Sequence, residues 1–172
     1  DDNGYVRDCT VYKDRDGSAY FIYDRQESEK NRCQHIVKLS DDYLSFTDEY
    51  KRIEEAFWRE AAAVVYRDGY YYMVTSDLTS WRFNQAKYFR AKNIFGPWED
   101  MGDPCIGDTD HSTFRSQTTY IFKVEGKDDL YIHMAERHNT ENFLHCSYIW
   151  LPIDFGENNT LSLSYKETWS IS

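Results

Sequence analysis

Three polar residues stand at equivalent points of a repeated pattern. Asp8 opens Asp8-Cys9-Thr10-Val11-Tyr12, Glu60 opens Glu60-Ala61-Ala62-Ala63-Val64-Val65-Tyr66, and Gln117 opens Gln117-Thr118-Thr119-Tyr120-Ile121-Phe122. In each unit a turn glycine (Gly17, Gly69, Gly126) follows nine residues after the opening residue. Two carboxyls and a carboxamide gathered at one pocket form the set that hydrolysis of a glycosidic bond asks for. One carboxylic acid protonates the leaving oxygen, and another group handles water across the sugar ring. Arg7 and Arg59 precede the two acids and Arg115 lies two before Gln117, so a cation stands near each position. Successive strand residues face opposite ways, however, and an adjacent Arg need not touch its acid. Alone, an Asp or Glu at the start of a strand is usually a turn or cap residue; the shared register sets these three apart.

The elements that would position them are strands. After each opening strand come a turn and a second strand: Ala19-Tyr20-Phe21-Ile22-Tyr23 after Asp16-Gly17, Tyr70-Tyr71-Tyr72-Met73-Val74 after Asp68-Gly69, and Leu130-Tyr131-Ile132-His133-Met134 after Glu125-Gly126 and a small insertion. This is hairpin chemistry. A third strand follows at Ile36-Val37-Lys38-Leu39, Tyr88-Phe89-Arg90-Ala91 and Tyr148-Ile149-Trp150-Leu151, at offsets of 28, 28 and 31 from the opening residue. The units repeat after 52 and then 57 residues, close to the roughly 40–50-residue period of β-propeller blades. An ordinary β-sandwich with similar hairpins is the alternative. In a propeller the innermost strands line the axis, so Asp8, Glu60 and Gln117 would converge at one end of the channel. Only the stretch from Tyr50 to Ala63 has helix-forming character, and the rest reads as β.

Other residues are weighed against the same frame. Trp81, in Thr79-Ser80-Trp81-Arg82-Phe83-Asn84, lies in a loop, where a large ring either stacks on a sugar face or closes the core. Trp98 and Trp150 read as packing residues. Asp14-Arg15-Asp16-Gly17 has the look of a calcium loop but lacks the remaining ligand positions, and reads as a hairpin turn. His111, His133, His138 and His145 lack metal-ligand spacing and read as surface or packing residues. Cys9, Cys33, Cys105 and Cys146 leave two disulfides or four thiols open. With 20 Lys+Arg against 30 Asp+Glu the net charge is −10, which argues against a nucleic-acid partner. The aromatic fraction of 17% in 172 residues argues for a folded chain. No apolar run approaches the roughly 20 residues of a membrane helix, so no membrane partner is expected. The start Asp1-Asp2-Asn3-Gly4 has neither an initiator Met nor a signal peptide, and reads as mature, trimmed or cut from something longer.

The chain resembles glycoside hydrolase family 43, and within it the exo-β-1,3-galactanase (galactan 1,3-β-galactosidase) branch. The residues that carry the likeness are Arg7-Asp8-Cys9-Thr10-Val11-Tyr12-Lys13-Asp14, Arg59-Glu60-Ala61-Ala62-Ala63, Thr79-Ser80-Trp81-Arg82-Phe83-Asn84, Phe95-Gly96-Pro97-Trp98-Glu99 and Phe114-Arg115-Ser116-Gln117-Thr118-Thr119. The resemblance implies an all-β, five-bladed propeller fold and hydrolysis with inversion. It makes Glu60 the general acid and Asp8 the residue that tunes the acid's pKa and orients substrate. Where most of the family uses an Asp base on the first blade, the galactanase branch works with a Gln at the position matching Gln117. A neutral amide is a poor base, so Gln117 would orient the water or relay a proton as its imidic acid. Substrate contacts are implied at Trp81, Asn84, Thr79 and Asn31. No metal or other cofactor is implied, the substrate is a polysaccharide or oligosaccharide, and the setting is secreted or extracytoplasmic. Ala62, where a Pro is usual, and the bulky Arg82-Phe83 pair depart from the pattern and bear on subsite shape.

The chain is accordingly expected to form one partial propeller domain over residues 1–172, with blades at approximately 5–57, 58–113 and 114–172. Two N-terminal blades of the family's five have no counterpart in it. Either it is a fragment, or a homo-oligomer completes the ring. The expected activity is exo-acting release of galactose from the β-1,3-galactan of arabinogalactan. The competing readings are a sister arabinofuranosidase or xylosidase specificity, which a carboxylate at Gln117 would have favoured, and a non-catalytic carbohydrate-binding fragment.

Overall fold

A computed structural model of the chain describes residues 4–171. They form three sheets in chain order. The first contains β1 (Tyr5–Lys13), β2 (Ala19–Ser28), β3 (Asn31–Leu39) and β4 (Phe46–Phe57), each antiparallel to the next. The second repeats that order with β5 (Arg59–Arg67), β6 (Tyr70–Asp77), β7 (Lys87–Ala91) and β8 (Glu99–Gly102). The third adds a short edge strand, β9 (Cys105–Ile106), parallel to the last of β10 (Gln117–Lys123), β11 (Tyr131–Arg137), β12 (Ser147–Gly156) and β13 (Thr160–Ser164). This is a partial β-propeller of three blades.

The hairpins form where the turn residues ask for them. Asp68 and Gly69 take φ of 47° and 87° between the paired residues Arg67 and Tyr70, the two positive φ values of a type I′ turn. In the first blade the Gly17 N–H donates to the Asp14 carbonyl at 3.1 Å, so the Asp14–Gly17 stretch is a turn.

The sheets stack through alternation. Along β5 and β6, Val64, Tyr71 and Met73 pack with Tyr20, Ile22, Ile36 and Ile53 of the first sheet. Their neighbours Val65, Tyr72 and Val74 pack with Ile121, Ala135, Ile149 and Leu151 of the third. A period of two sends successive side chains to opposite faces, so the second sheet is covered on both sides. Its run Tyr71–Ser76 is buried throughout for that reason. Trp98 is buried in the first of these layers, as a packing residue should be. Trp150, also read as packing, is 46% exposed, with its ring edge-to-face against Phe122 at 6.1 Å.

The stretch from Tyr50 to Ala63 is not helical. It is the end of β4 and the start of β5, separated by Trp58 at a φ of 60°. Its Glu- and Ala-rich composition favours a helix only weakly, and pairing with β3 from Val37↔Tyr50 to Cys33↔Phe57 overrides it. All four cysteines are free thiols.

Candidate catalytic site

β1 and β10 both pack against β5, which brings the starts of the three opening strands together. Each opening strand is irregular near its start. Register shifts fall between Val6 and Cys9, between Glu60 and Ala63, and between Thr118 and Tyr120, with Ala61 at a φ of 52°. Bulges bend a strand and re-aim its side chains, and the three-fold recurrence matches the register of the sequence.

Glu60 is the centre of the cluster. Its Oε2 accepts from Arg32 Nη2 at 2.9 Å and its Oε1 from Gln117 Nε2 at 3.3 Å. Burial, and then the charge of Asp8, push the Glu60 carboxyl up to about 7, against the opposing pull of Arg32. Asp8 is tied in through its backbone, whose N–H donates to Asp24 Oδ1 at 2.9 Å. Asp24 is fully buried, and its other oxygen accepts from Arg32 Nε. Burial raises the Asp24 carboxyl, with Arg32 again opposing. One guanidinium thus joins Asp24, which anchors Asp8, to Glu60. The sequence reading missed Arg32 and Asp24, which lie on β3 and β2.

The three arginines beside the register residues do other work. Arg59 is buried and donates to Thr75 Oγ1, the Thr75 carbonyl and the Gln85 carbonyl, bracing β6 and the loop after it. Arg7 reaches Gln26 Oε1 at 3.4 Å. Arg115 sits in a tight left-handed turn with its N–H on Ser112 Oγ.

Arg7, Gln26, Arg32, Trp58, Glu60 and Ser80 line a cleft of about 300 Å³. A larger cleft of about 530 Å³ opens at the turn end of the first two blades, around Asp14, Asp16, Glu49 and Lys92, and holds none of the register residues. Trp81 stands 60% exposed on the loop after β6. Its ring meets His138 edge-on at 5.2 Å and Phe143 at 5.7 Å, and Phe83 stacks on His138 at 5.7 Å. Asn84 and Thr79 build this loop: Asn84 Oδ1 accepts from the Asp77 N–H, and its Nδ2 donates to the Asp77 carbonyl and to Thr79 Oγ1, which donates to the Arg82 carbonyl. Asn31 lies outside the cleft lining, its Nδ2 donating to Glu27 Oε2 and its Oδ1 accepting from Arg52. His138, read from sequence as a surface or packing residue, places Nε2 2.9 Å from Gln117 Oε1.

Of the three register residues Glu60 alone lines the cleft, and a half-buried carboxyl poised near neutrality, hydrogen-bonded to a carboxamide and facing open space, suits general acid catalysis. The exposed Trp81 ring suits stacking on a sugar face. Trp81→Ala is therefore expected to raise KM about tenfold, equivalent to about 1.4 kcal/mol, with kcat changed little. Initial rates over a range of oligosaccharide concentrations check this, and a fall in kcat alone would show that the ring serves the reacting centre.

Comparison with known proteins gives the family and the fold. The profile of the glycosyl hydrolases family 43 matches residues 3–161. A β-1,3-galactosidase of that family, solved with galactodeoxynojirimycin, superposes with a TM-score of 0.90 at 33% identity, over 98% of this chain and 48% of its own. An exo-β-1,3-galactanase from Clostridium thermocellum gives 0.76 at 30% identity, over 94% and 34%. One from Phanerochaete chrysosporium, solved with β-1,3-galactotriose, gives 0.82 at 24%, over 98% and 38%, an identity that speaks for the fold alone. The chain spans between about a third and a half of the length of these structures. No curated protein matches it.

Proposed function

The chain belongs to the glycosyl hydrolases family 43, and from that premise we propose that it acts in the exo-hydrolysis of β-1,3-linked galactose, from galactan or arabinogalactan, with Glu60 as general acid. The observation that carries the reading is the Glu60 carboxyl itself, raised to about 7 by burial and by Asp8 while facing the cleft. In that state about half of the molecules hold the proton at neutral pH, ready to give it to the leaving oxygen. The two similar structures at 30% identity or more, a β-1,3-galactosidase and an exo-β-1,3-galactanase, support the sugar and the linkage.

Gln117 fits a role as the group that orients water. The oxocarbenium-like transition state of glycoside hydrolysis calls for little deprotonation of the water before attack is advanced, so a positioned carboxamide suffices where a strong base is absent. The glycosidic bond breaks as the water oxygen bonds to the anomeric carbon from the opposite face, the proton the water sheds passes to solvent by way of the Gln117 amide, and the Glu60 carboxylate takes a proton back from solvent once the leaving sugar has gone. Glu60 supplies the proton to the leaving sugar, and the configuration inverts. Asp8 keeps the acid protonated through its charge. A polymeric substrate of this size suits an extracytoplasmic setting.

The reading includes the partner. Tyr5, Val6 and Val11 of the first sheet and Tyr120, Tyr148 and Trp150 of the third are exposed, and exposed apolar side chains at the two flanking sheets call for cover. A second copy of the chain supplying that cover accords with the need of a closed propeller for about four to eight blades.

The deciding experiment is incubation of the purified chain with β-1,3-galactan across a concentration series, with light scattering on the same samples. Galactose as the only early product, appearing as the α-anomer, is the expected result. Release of arabinose or xylose from matched substrates, in place of galactose, would move the chain to a sister specificity. Binding of galactan without hydrolysis at any assembly state would make it a carbohydrate-binding fragment.

A further inference from the structure

The Gln117 carboxamide is held from both ends. Ionised, Glu60 has acceptors only, so the atom of Gln117 that faces Glu60 Oε1 at 3.3 Å is the nitrogen. The amide oxygen is thereby turned to His138 Nε2 at 2.9 Å. A carbonyl oxygen donates nothing, so Nε2 of His138 carries a proton and donates it. That leaves His138 Nδ1 facing Glu136 Oε1 at 3.5 Å. The imidazole is not free to turn away: its side chain is 7% exposed, the Phe83 ring lies nearly parallel to it at 12°, and the edge of Trp81 closes another side. A chain of polar contacts therefore runs Glu136–His138–Gln117–Glu60, from the third blade to the acid on the second.

We propose that His138 is a positioning residue that fixes the flip of the Gln117 carboxamide. Its Nε2–H decides which end of the amide faces Glu60 and which lone pairs remain for a water at the reacting centre. When Glu60 carries the proton it gives to the leaving oxygen, that carboxyl can donate as well as accept and no longer fixes the amide by itself; without the His138 donor the two orientations then differ little in energy, and a large share of the molecules would turn the amide oxygen toward Glu60. The kinetic part of this inference rests on the hydrolase reading, and the spectroscopic part does not.

Two measurements test it. Long-range ¹H–¹⁵N NMR of the histidine rings of the full chain at neutral pH should show Nε2 of His138 protonated, as the Nε2–H tautomer or as the imidazolium. The Nδ1–H tautomer would overturn the inference whether or not the chain is active. In the hydrolysis assay, His138→Phe keeps the aromatic contacts and removes the donor. It is expected to lower kcat about 10–100-fold with KM changed less than about twofold, as misplacement of a positioned group does. His138→Gln, whose amide can donate to the same oxygen, should recover part of the loss. In a Gln117→Ala background His138→Phe should cost nothing further, because the interaction it serves is gone. An equal loss in both backgrounds, or a loss carried by KM alone, would assign His138 to the aromatic wall and overturn the inference. Absence of hydrolysis by the parent chain would defeat the hydrolase reading while the tautomer still decides the role of His138.

Discussion

Glu60→Gln is expected to lower kcat on unactivated β-1,3-galactan by roughly 10²–10⁴-fold, the usual worth of a positioned general acid. Aryl galactosides with good leaving groups should lose far less, because their departing oxygen needs little protonation. The substitution keeps the shape of the site, since the new amide can still accept from Arg32. The proton is what it removes. In the parent chain, activity on galactan should decline as pH rises through about 7, where Glu60 ionises, and this limb should be missing from the residual activity of the variant. The same carboxyl makes a signed prediction for stability. Its folded pKa of about 7 lies above the roughly 4.3 of an unfolded Glu, so between those values the native state binds more protons than the unfolded one. Stability then falls as pH rises across that window. Glu60→Gln should therefore gain stability relative to the parent at pH 8 and lose that advantage at pH 5. An equal kinetic loss on both substrate types would show that Glu60 has another role.

The repeat made much of this architecture legible. The turn glycines gave the hairpins, and counting back from them placed Gln117 at the first residue of its strand, Glu60 one residue inside β5 and Asp8 three residues inside β1, each near a bulge. The partners that tune these residues were hidden for a physical reason. Asp24 and Arg32 sit on the second and third strands of their blade, and their meeting depends on the register across that hairpin, which places Asp24 opposite Gln34 and Arg32 opposite Gln26. Nothing in the spacing of eight residues announces a buried ion pair. Asn84 illustrates a different ambiguity. A short polar side chain in a loop can bond to ligand or to its own backbone, and here its amide is spent on Asp77 and Thr79. His138 was invisible because its partner, Gln117, lies 21 residues away across β10 and β11. The helical character of the stretch from Tyr50 to Ala63 misled because local propensity carries less weight than a ladder to β3.

Arg32→Leu is expected to be the most damaging single substitution outside the acid itself. Arg32 is 6% exposed and shared between Asp24, which is fully buried, and Glu60. Removing one partner of a buried pair leaves an uncompensated charge, at a cost of about 3–5 kcal/mol. Two consequences separate this from simple loss of packing. Both carboxyls lose the cation that holds their pKa values down, so both should rise further, and the native state can relieve the strain by taking up protons. The stability deficit should then be larger at pH 8 than at pH 5, measured by denaturant unfolding at each pH. The alkaline limb of galactan hydrolysis should also move above its parent position near 7. Arg32→Lys should not restore the parent, because a single ammonium cannot reproduce the fork by which Nε serves Asp24 while Nη2 serves Glu60. A deficit independent of pH would mean that the guanidinium acts by volume. A deficit that shrinks on acidification would show that one cation sets both the stability of the first blade and the proton on the catalytic acid, with Asp8 following through its bond to Asp24.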